Sequence, residues 1–249
     1  MSTHIYCVLP AAARAPMPPG LVGVDDAPVR ALAAGTIVAW ISDLPTGAAP
    51  SVDGIRAHDA VVQAALETGT TPAPVRYGQR FTDDVAARDA LERVAASVDA
   101  MLETVQGSVE MTLILTPSTK RMMRDLQPVI PEMLAESPGS GRRYLEALVA
   151  REAGTGAVRQ ALDALTQRLT AAVQRMVRRS TVHEQLTRMP LRTMSHLIAK
   201  EFIEPYREAL SAVKGGADFR FLVVGPRAPY SFCALGSSGD GHHGIKLAD

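Results

Sequence analysis

Two hydrophobic periods run along this chain, and the switches between them mark out its elements. Ile5–Leu9 is an unbroken apolar run closed by Pro10, the pattern of a buried strand. Ala11–Gly20 is rich in Pro and Ala and reads as a loop. Val29–Ala33 and Thr36–Ile41 are short extended runs with Gly35 between them, which predicts a hairpin. A helix capped by Asp53 is predicted through about Thr68, stopped by Gly69, with Ile55, Val61, Val62 and Leu66 broadly on one side. Thr70–Phe81 carries Pro72 and Pro74 and is extended or irregular. Thr82 is placed as the N-cap of a long helix to about Gln106, ended by Gly107. Val85, Leu91, Val94, Val98, Met101, Leu102 and Val105 supply its apolar stripe. Val109, Met111, Leu113 and Leu115 then alternate with a strand's period. The order strand, hairpin, helix, helix, strand resembles a ferredoxin-like arrangement with its elements rearranged.

The pattern changes after Pro117. Ser118–Leu134 is helical but broken by Pro128 and Pro131, and residues 137–141 form a Ser, Pro and Gly turn cluster. Arg142 to about Arg179 is strongly helical, with Gly154 and Gly156 as an interruption. Within it Val158, Leu162, Leu165, Leu169, Ala172 and Met176 recur at alternating spacings of four and three, a seam of about three heptads. Such a seam either packs inside the chain or docks on another helix, and its short length favours the first. His183-Glu184 falls near the end of this helix. Leu191–Ile198 is extended, and Glu201–Val213 is a short helix ended by Gly215-Gly216. Phe219–Val224 reads as a buried strand, and from Gly236 the chain is polar and Gly-rich. The expected class is α+β: a modified ferredoxin-like domain over residues 1–117, a helix-rich α+β domain over 118–235, and a flexible tail over 236–249.

Composition narrows the function. With 47% apolar residues, the 249-residue chain can bury a core. Lys plus Arg and Asp plus Glu both total 26, so it lacks the electrostatic footprint of a nucleic-acid binder. The Arg-rich stretch holding Arg159, Arg168, Arg175, Arg178 and Arg179 reads as a solvated helix face. No run approaches the roughly 20 apolar residues of a membrane span, and no signal peptide is visible, so the expected location is cytoplasmic. Two cysteines, Cys7 and Cys233, make neither a disulfide framework nor a metal site.

Candidate chemistry is sparse. No phosphate-cradling or dinucleotide-binding glycine pattern is present. His58-Asp59 lies in a helix, where neighbours point apart, so it reads as solvated or capping and not as a general-base pair. His242-His243 lacks the further oriented ligands of a metal site. Cys7 sits in an apolar strand, where a thiol is inert, and Cys233 and Ser231 lack a base or a nucleophile turn. Asp83-Asp84 is explained by helix capping and the helix dipole. No catalytic, metal or cofactor site is assigned.

The segment most unlike generic sequence is Gly225-Pro226-Arg227-Ala228-Pro229-Tyr230-Ser231-Phe232. Its two prolines exclude a helix, and it places two aromatics together in a chain that is 4% aromatic. It resembles the Gly-Pro-Trp-Pro-Pro-Tyr-Ser-Phe signature of the gas vesicle protein GvpF/GvpL family, with Arg227 and Ala228 at the Trp and first following Pro positions. Other segments follow in family order. Ile5-Tyr6-Cys7-Val8 resembles the opening strand, and Val38–Asp43 a second one. His58–Val62 resembles a His-Glu helix start, with Asp59 for Glu. Pro74-Val75-Arg76-Tyr77-Gly78 with Phe81 resembles a Pro-x-Arg-Phe-Gly-x-x-Phe segment, and Gly139–Leu145 a Pro-Gly-x-x-Tyr-Leu element.

The resemblance implies an accessory protein of gas vesicles, with a ferredoxin-like N-terminal domain, an α+β C-terminal domain and no catalytic activity or cofactor. Its implied partners are the hydrophobic shell protein and other accessory proteins, with no nucleic acid. Arg76, Tyr77, Gly78, Phe81, Gly225, Pro226, Pro229, Tyr230 and Phe232 are the family-motif positions it offers as candidate interface. The competing readings are a divergent paralogue acting as a regulator, or a small-molecule enzyme built on Arg76, Tyr77, His58 and Tyr230.

Overall fold

The computed structural model describes residues 1–13, 16–47, 49–118, 159–185, 191–213 and 219–233. The chain is α+β and divides into two compact units. One comprises Met1–Met111, His196–Lys200 and Gly225–Asp249, the other Thr112–Ser195 and Glu201–Val224.

At the centre of the first unit is β1 (Ser2–Pro10), paired antiparallel with β3 (Ile37–Leu44), which pairs in turn with β2 (Arg30–Ala34). Two short strands, β4 (Ala73–Pro74) and β5 (Arg80–Phe81), line the other side of β1. The predicted hairpin forms, with Gly35 at a positive φ of 60° in its turn. The register of β1 slips against β3 between Ile5, opposite Ile41, and Cys7, opposite Trp40, so Tyr6 is an extra residue in a β-bulge. Strict alternation therefore breaks. Ile5 and Val8 enter one core, and Tyr6, Cys7 and Leu9 the other. Both faces of this sheet are buried, which is why the run reads as continuously apolar.

The helix α1 (Val52–Glu67) covers the Tyr6 face with Val61, Val62 and Ala65. The helix α2 (Asp84–Val105) covers the Ile5 face with Ala87, Ala90, Leu91, Val98 and Leu102. Both helices start differently from expectation. Ser51, in an extended conformation, caps α1 by accepting the Gly54 N–H at 2.9 Å, while Asp53 already lies in the first turn. Asp83 caps α2 by accepting the Ala86 N–H at 2.9 Å, so Thr82 lies outside it. Two apolar positions assigned to the stripes face solvent: Ile55 is 50% exposed and Val85 61%. In α1 the buried stripe passes instead through Gly54 and His58.

The remaining elements are β6 (Ser108–Pro117), α3 (159–173), β7 (Val177–Gln185), β8 (Leu191–Ala199), α4 (Ile203–Ser211) and β9 (Phe219–Arg227). Their four strands form a sheet in the order β7-β8-β6-β9. The long helix expected to reach Arg179 ends at residue 173. Val177, Arg178 and Arg179 belong to β7, and so do His183 and Glu184. The β-branched Thr181 and Val182 favour the pleated state there. Leu162, Leu165 and Leu169 of the predicted seam are buried, whereas Ala172 and Met176 are half-buried and Val173, outside the predicted seam, is buried instead. Arg192 of β8 ties the second unit together. Its guanidinium reaches Asp163 at 2.7 Å and Thr166 at 2.9 Å on α3, and Glu184 at 3.3 Å on β7.

The strand β9 also departs from expectation. It runs through Gly225-Pro226 to Arg227 instead of ending at Val224, and it is half-buried, with Leu222 60% exposed. It lies at the end of the sheet order, where a Pro that cannot donate a ladder hydrogen bond is tolerated. The expectations for residues 119–158, for Gly215-Gly216 and for the tail lie outside the described residues.

Candidate functional site

The first unit gathers most of the singled-out residues in two places. The earlier in sequence is a buried polar cluster between β1 and α1. His58 points inward from α1, while its neighbour Asp59 points out. His58 is therefore neither solvated nor capping. Its Nε2–H donates to the Val75 carbonyl at 2.8 Å, and its Nδ1 faces Nε2 of His4 at 3.0 Å. A neutral His58 that donates from Nε2 must accept at Nδ1, so His4 donates from Nε2. That assignment leaves His4 Nδ1 as a bare lone pair, buried and without a well-formed hydrogen bond.

Tyr6 completes the cluster. Its hydroxyl donates to Ser42 Oγ at 3.1 Å and accepts the Val24 N–H at 3.0 Å. The His4 ring meets Tyr6 edge-on at 4.8 Å between centroids, and His58 meets Tyr77 edge-on at 5.7 Å. The Tyr77 hydroxyl lies over Gly54, where a Cβ would stand 2.2 Å from it. Residue 54 in the first turn of α1 must therefore be small while Tyr77 keeps this position.

Burial dominates the titration of both imidazoles. It lowers His4 from 6.5 to about 3, helped by the charges of His58 and Arg80 and opposed by the Gln79 backbone. His58 falls to about 4, also through burial, with the Val75 bond and Asp59 opposing. Both are neutral at pH 7. A general base works best with a pKa near the operating pH, so this pair is poorly poised for proton transfer. Burial also pushes the Cys7 thiol up, as expected of an inert core cysteine.

The second place is the seat of the C-terminal signature. Gly225 has φ 126° and lies against Glu110 and Met111, and its peptide bond to Pro226 is cis. Arg227 forms an ion pair with Asp59 on α1. Ala228, 2% exposed, enters the core that holds Tyr6 and Trp40. The Pro229 carbonyl accepts the N–H groups of Phe232 and Cys233, both at 3.0 Å, closing a tight turn. The backbone N–H and the hydroxyl of Ser231 donate to the two carboxylate oxygens of buried Glu110, at 2.8 and 2.7 Å. Phe232 and Cys233 enter the opposite core, the one holding Ile5 and α2. Tyr230 packs beside the first core, and burial raises its phenol's pKa.

The structure does not bring the family-motif positions onto one surface. Phe81 is buried opposite Thr3 of β1. Gly225, Pro226, Pro229, Tyr230 and Phe232 are half-buried or buried at the seat just described, and Tyr77 is half-buried over α1. Arg76 and Gly78 lie in the turn between β4 and β5, where Gly78 is exposed at φ 95° and the Arg76 carbonyl accepts the Gln79 N–H at 3.3 Å. Sequence reasoning missed His4 and Glu110. Each is a polar residue inside an apolar strand, and a buried polar group calls for a partner. Among the described residues, no group of three or more His, Cys, Asp or Glu is placed to hold a metal ion. No described helix is long and apolar enough to cross a membrane.

A family profile described as gas vesicle synthesis protein GvpL/GvpF matches residues 2–234. Gas vesicle protein F of Streptomyces sp. (strain CB03234) is 27% identical over 249 positions, covering 93% of this chain and 99% of that protein. Among solved structures, GvpF from Microcystis aeruginosa matches with a TM-score of 0.72 at 17% identity, covering 93% of this chain and 98% of the other. GvpF from Anabaena sp. PCC7120 matches with a TM-score of 0.73 at 15% identity, covering 97% and 98%. At such identities the structural likeness speaks for the fold.

Proposed function

Since the chain belongs to the gas vesicle synthesis protein GvpL/GvpF family, and its role therefore lies in gas vesicle formation, we propose that it is a non-catalytic accessory protein that binds the apolar shell protein and helps start the shell. The observation that carries this reading is the family match across residues 2–234. Physical chemistry gives it a rationale. A protein that lines a gas space is apolar on that side, and before assembly such a face is prone to aggregate. A folded partner that covers the face keeps the subunit available for ordered addition.

The buried cluster supports a non-catalytic reading, because its two imidazoles are held neutral and far from the pKa useful for proton transfer. Of the motif positions, Gly78 is exposed, and half-buried Arg76 shares its turn between β4 and β5; we place the shell-protein contact at that turn. The test is co-purification of the full chain with the shell protein. Wild type is expected to retain it, and Arg76→Glu to weaken retention about tenfold, as loss of one interface hot spot does. No binding by a wild-type chain with intact far-UV circular dichroism would overturn the reading. Binding unaffected by Arg76→Glu would remove the turn from it.

A further inference from the structure

We propose that residues 225–233 are a closing strap, without which the N-terminal sheet has no stable form. Four kinds of contact fasten this short segment to the first unit, and each engages a different part of it. Ala228 is 2% exposed in the core between the sheet and α1. Phe232 at 5% and Cys233 at 0% are sealed into the core between the sheet and α2. The strap therefore completes both faces of one sheet. Between these anchors, Ser231 donates two hydrogen bonds, from its backbone N–H and its hydroxyl, to the carboxylate of buried Glu110, which ties the strap to β6. Arg227 adds a contact to α1 through Asp59.

The strap also carries its own turn. The Pro229 carbonyl gathers the N–H groups of Phe232 and Cys233 and the Cys233 thiol, so a stiff turn presents Ala228 to one core and Phe232 to the other. A neighbouring segment behaves alike. The Lys200 N–H donates to the Gly107 carbonyl at 3.0 Å and its ammonium to the Gly69 carbonyl at 2.8 Å, while Leu197 enters the α2 core. The N-terminal sheet thus borrows core residues from chain far beyond its own last strand. A peripheral tail would open by itself at low cost, whereas a strap of this kind opens only when the sheet opens.

Hydrogen exchange on the full-length protein, followed by peptide mass, tests this. In the wild type, amides of residues 230–233 are expected to share the opening free energy of β1 amides. In Ser231→Ala, which keeps the apolar anchors, exchange in the strap, β1 and α1 is expected to rise together by about tenfold or more. Phe232→Ala is expected to raise it further. Strap amides that exchange faster than β1 amides in the wild type would overturn the proposal. So would a Ser231→Ala protein whose strap is free while β1 and α1 keep wild-type protection. The wild-type comparison decides the matter even where Phe232→Ala yields no folded protein.

Discussion

His4, His58 and His196 sit at 0%, 2% and 1% exposure, and burial lowers all three, to about 3 for His4 and about 4 for the other two. Their depressed folded-state values mean that the neutral form is the one that packs. The stability they contribute is full above their ordinary 6.5 and is lost as pH falls toward about 4. Each proton taken up on unfolding costs about 1.4 kcal/mol per pH unit in that window. The urea midpoint is expected to be flat from pH 8 to 7 and to fall steeply between pH 6.5 and 4, with a shallower fall in His58→Gln. Gly225 carries a second prediction. Its φ of 126° disfavours any side chain, and an added Cβ would stand 2.7 Å from the Glu110 carbonyl oxygen. Gly225→Ala is expected to cost about 1–3 kcal/mol in denaturant unfolding. At this scale the sequence was partly readable. Cys7 was recognisable as an inert core thiol, and His58 and Asp59 as pointing apart. That His58 meets His4, or that Ser231 meets Glu110, depends on pairings 54 and 121 residues apart, which no local pattern encodes.

Element positions were legible where a single period ran long enough, as in β1, the β2–β3 hairpin and α2. Their ends were not, because several short polar residues competed for each cap. Ser51-Val52-Asp53 and Thr82-Asp83-Asp84 each offer more than one capping side chain, and only the backbone decides which stays extended. Ser51→Ala and Asp83→Ala are each expected to lower the thermal midpoint, with a cost of about 1 kcal/mol. Asp53→Ala and Thr82→Ala should fall within about 0.5 kcal/mol of wild type. The exchange of helix for strand at Val177–Gln185 has another origin. The leucine seam leads into it without a Gly or Pro stop, so helical periodicity carries over a boundary set by sheet pairing. The bulge at Tyr6 was hidden for a similar reason: a run that is apolar throughout shows no break in alternation when one residue is inserted.

Across the whole molecule, the α+β class and the family were legible because motifs recur in order, a signal that survives 27% identity to a curated relative. The closure of the sheet was not, since Leu197, Ala228, Phe232 and Cys233 join cores built mainly by residues before 117. That dependence has a consequence during synthesis. The ribosome makes the strands of the first sheet early and the strap late. At roughly 5–20 residues per second, residues 118–233 take on the order of ten seconds to emerge. Through that interval the sheet waits with both faces incompletely sealed. A nascent chain stalled within it is expected to be captured by general chaperones and to resist release until residue 233 is free of the exit tunnel. Folding of the N-terminal half is thereby timed by translation of the C-terminal half.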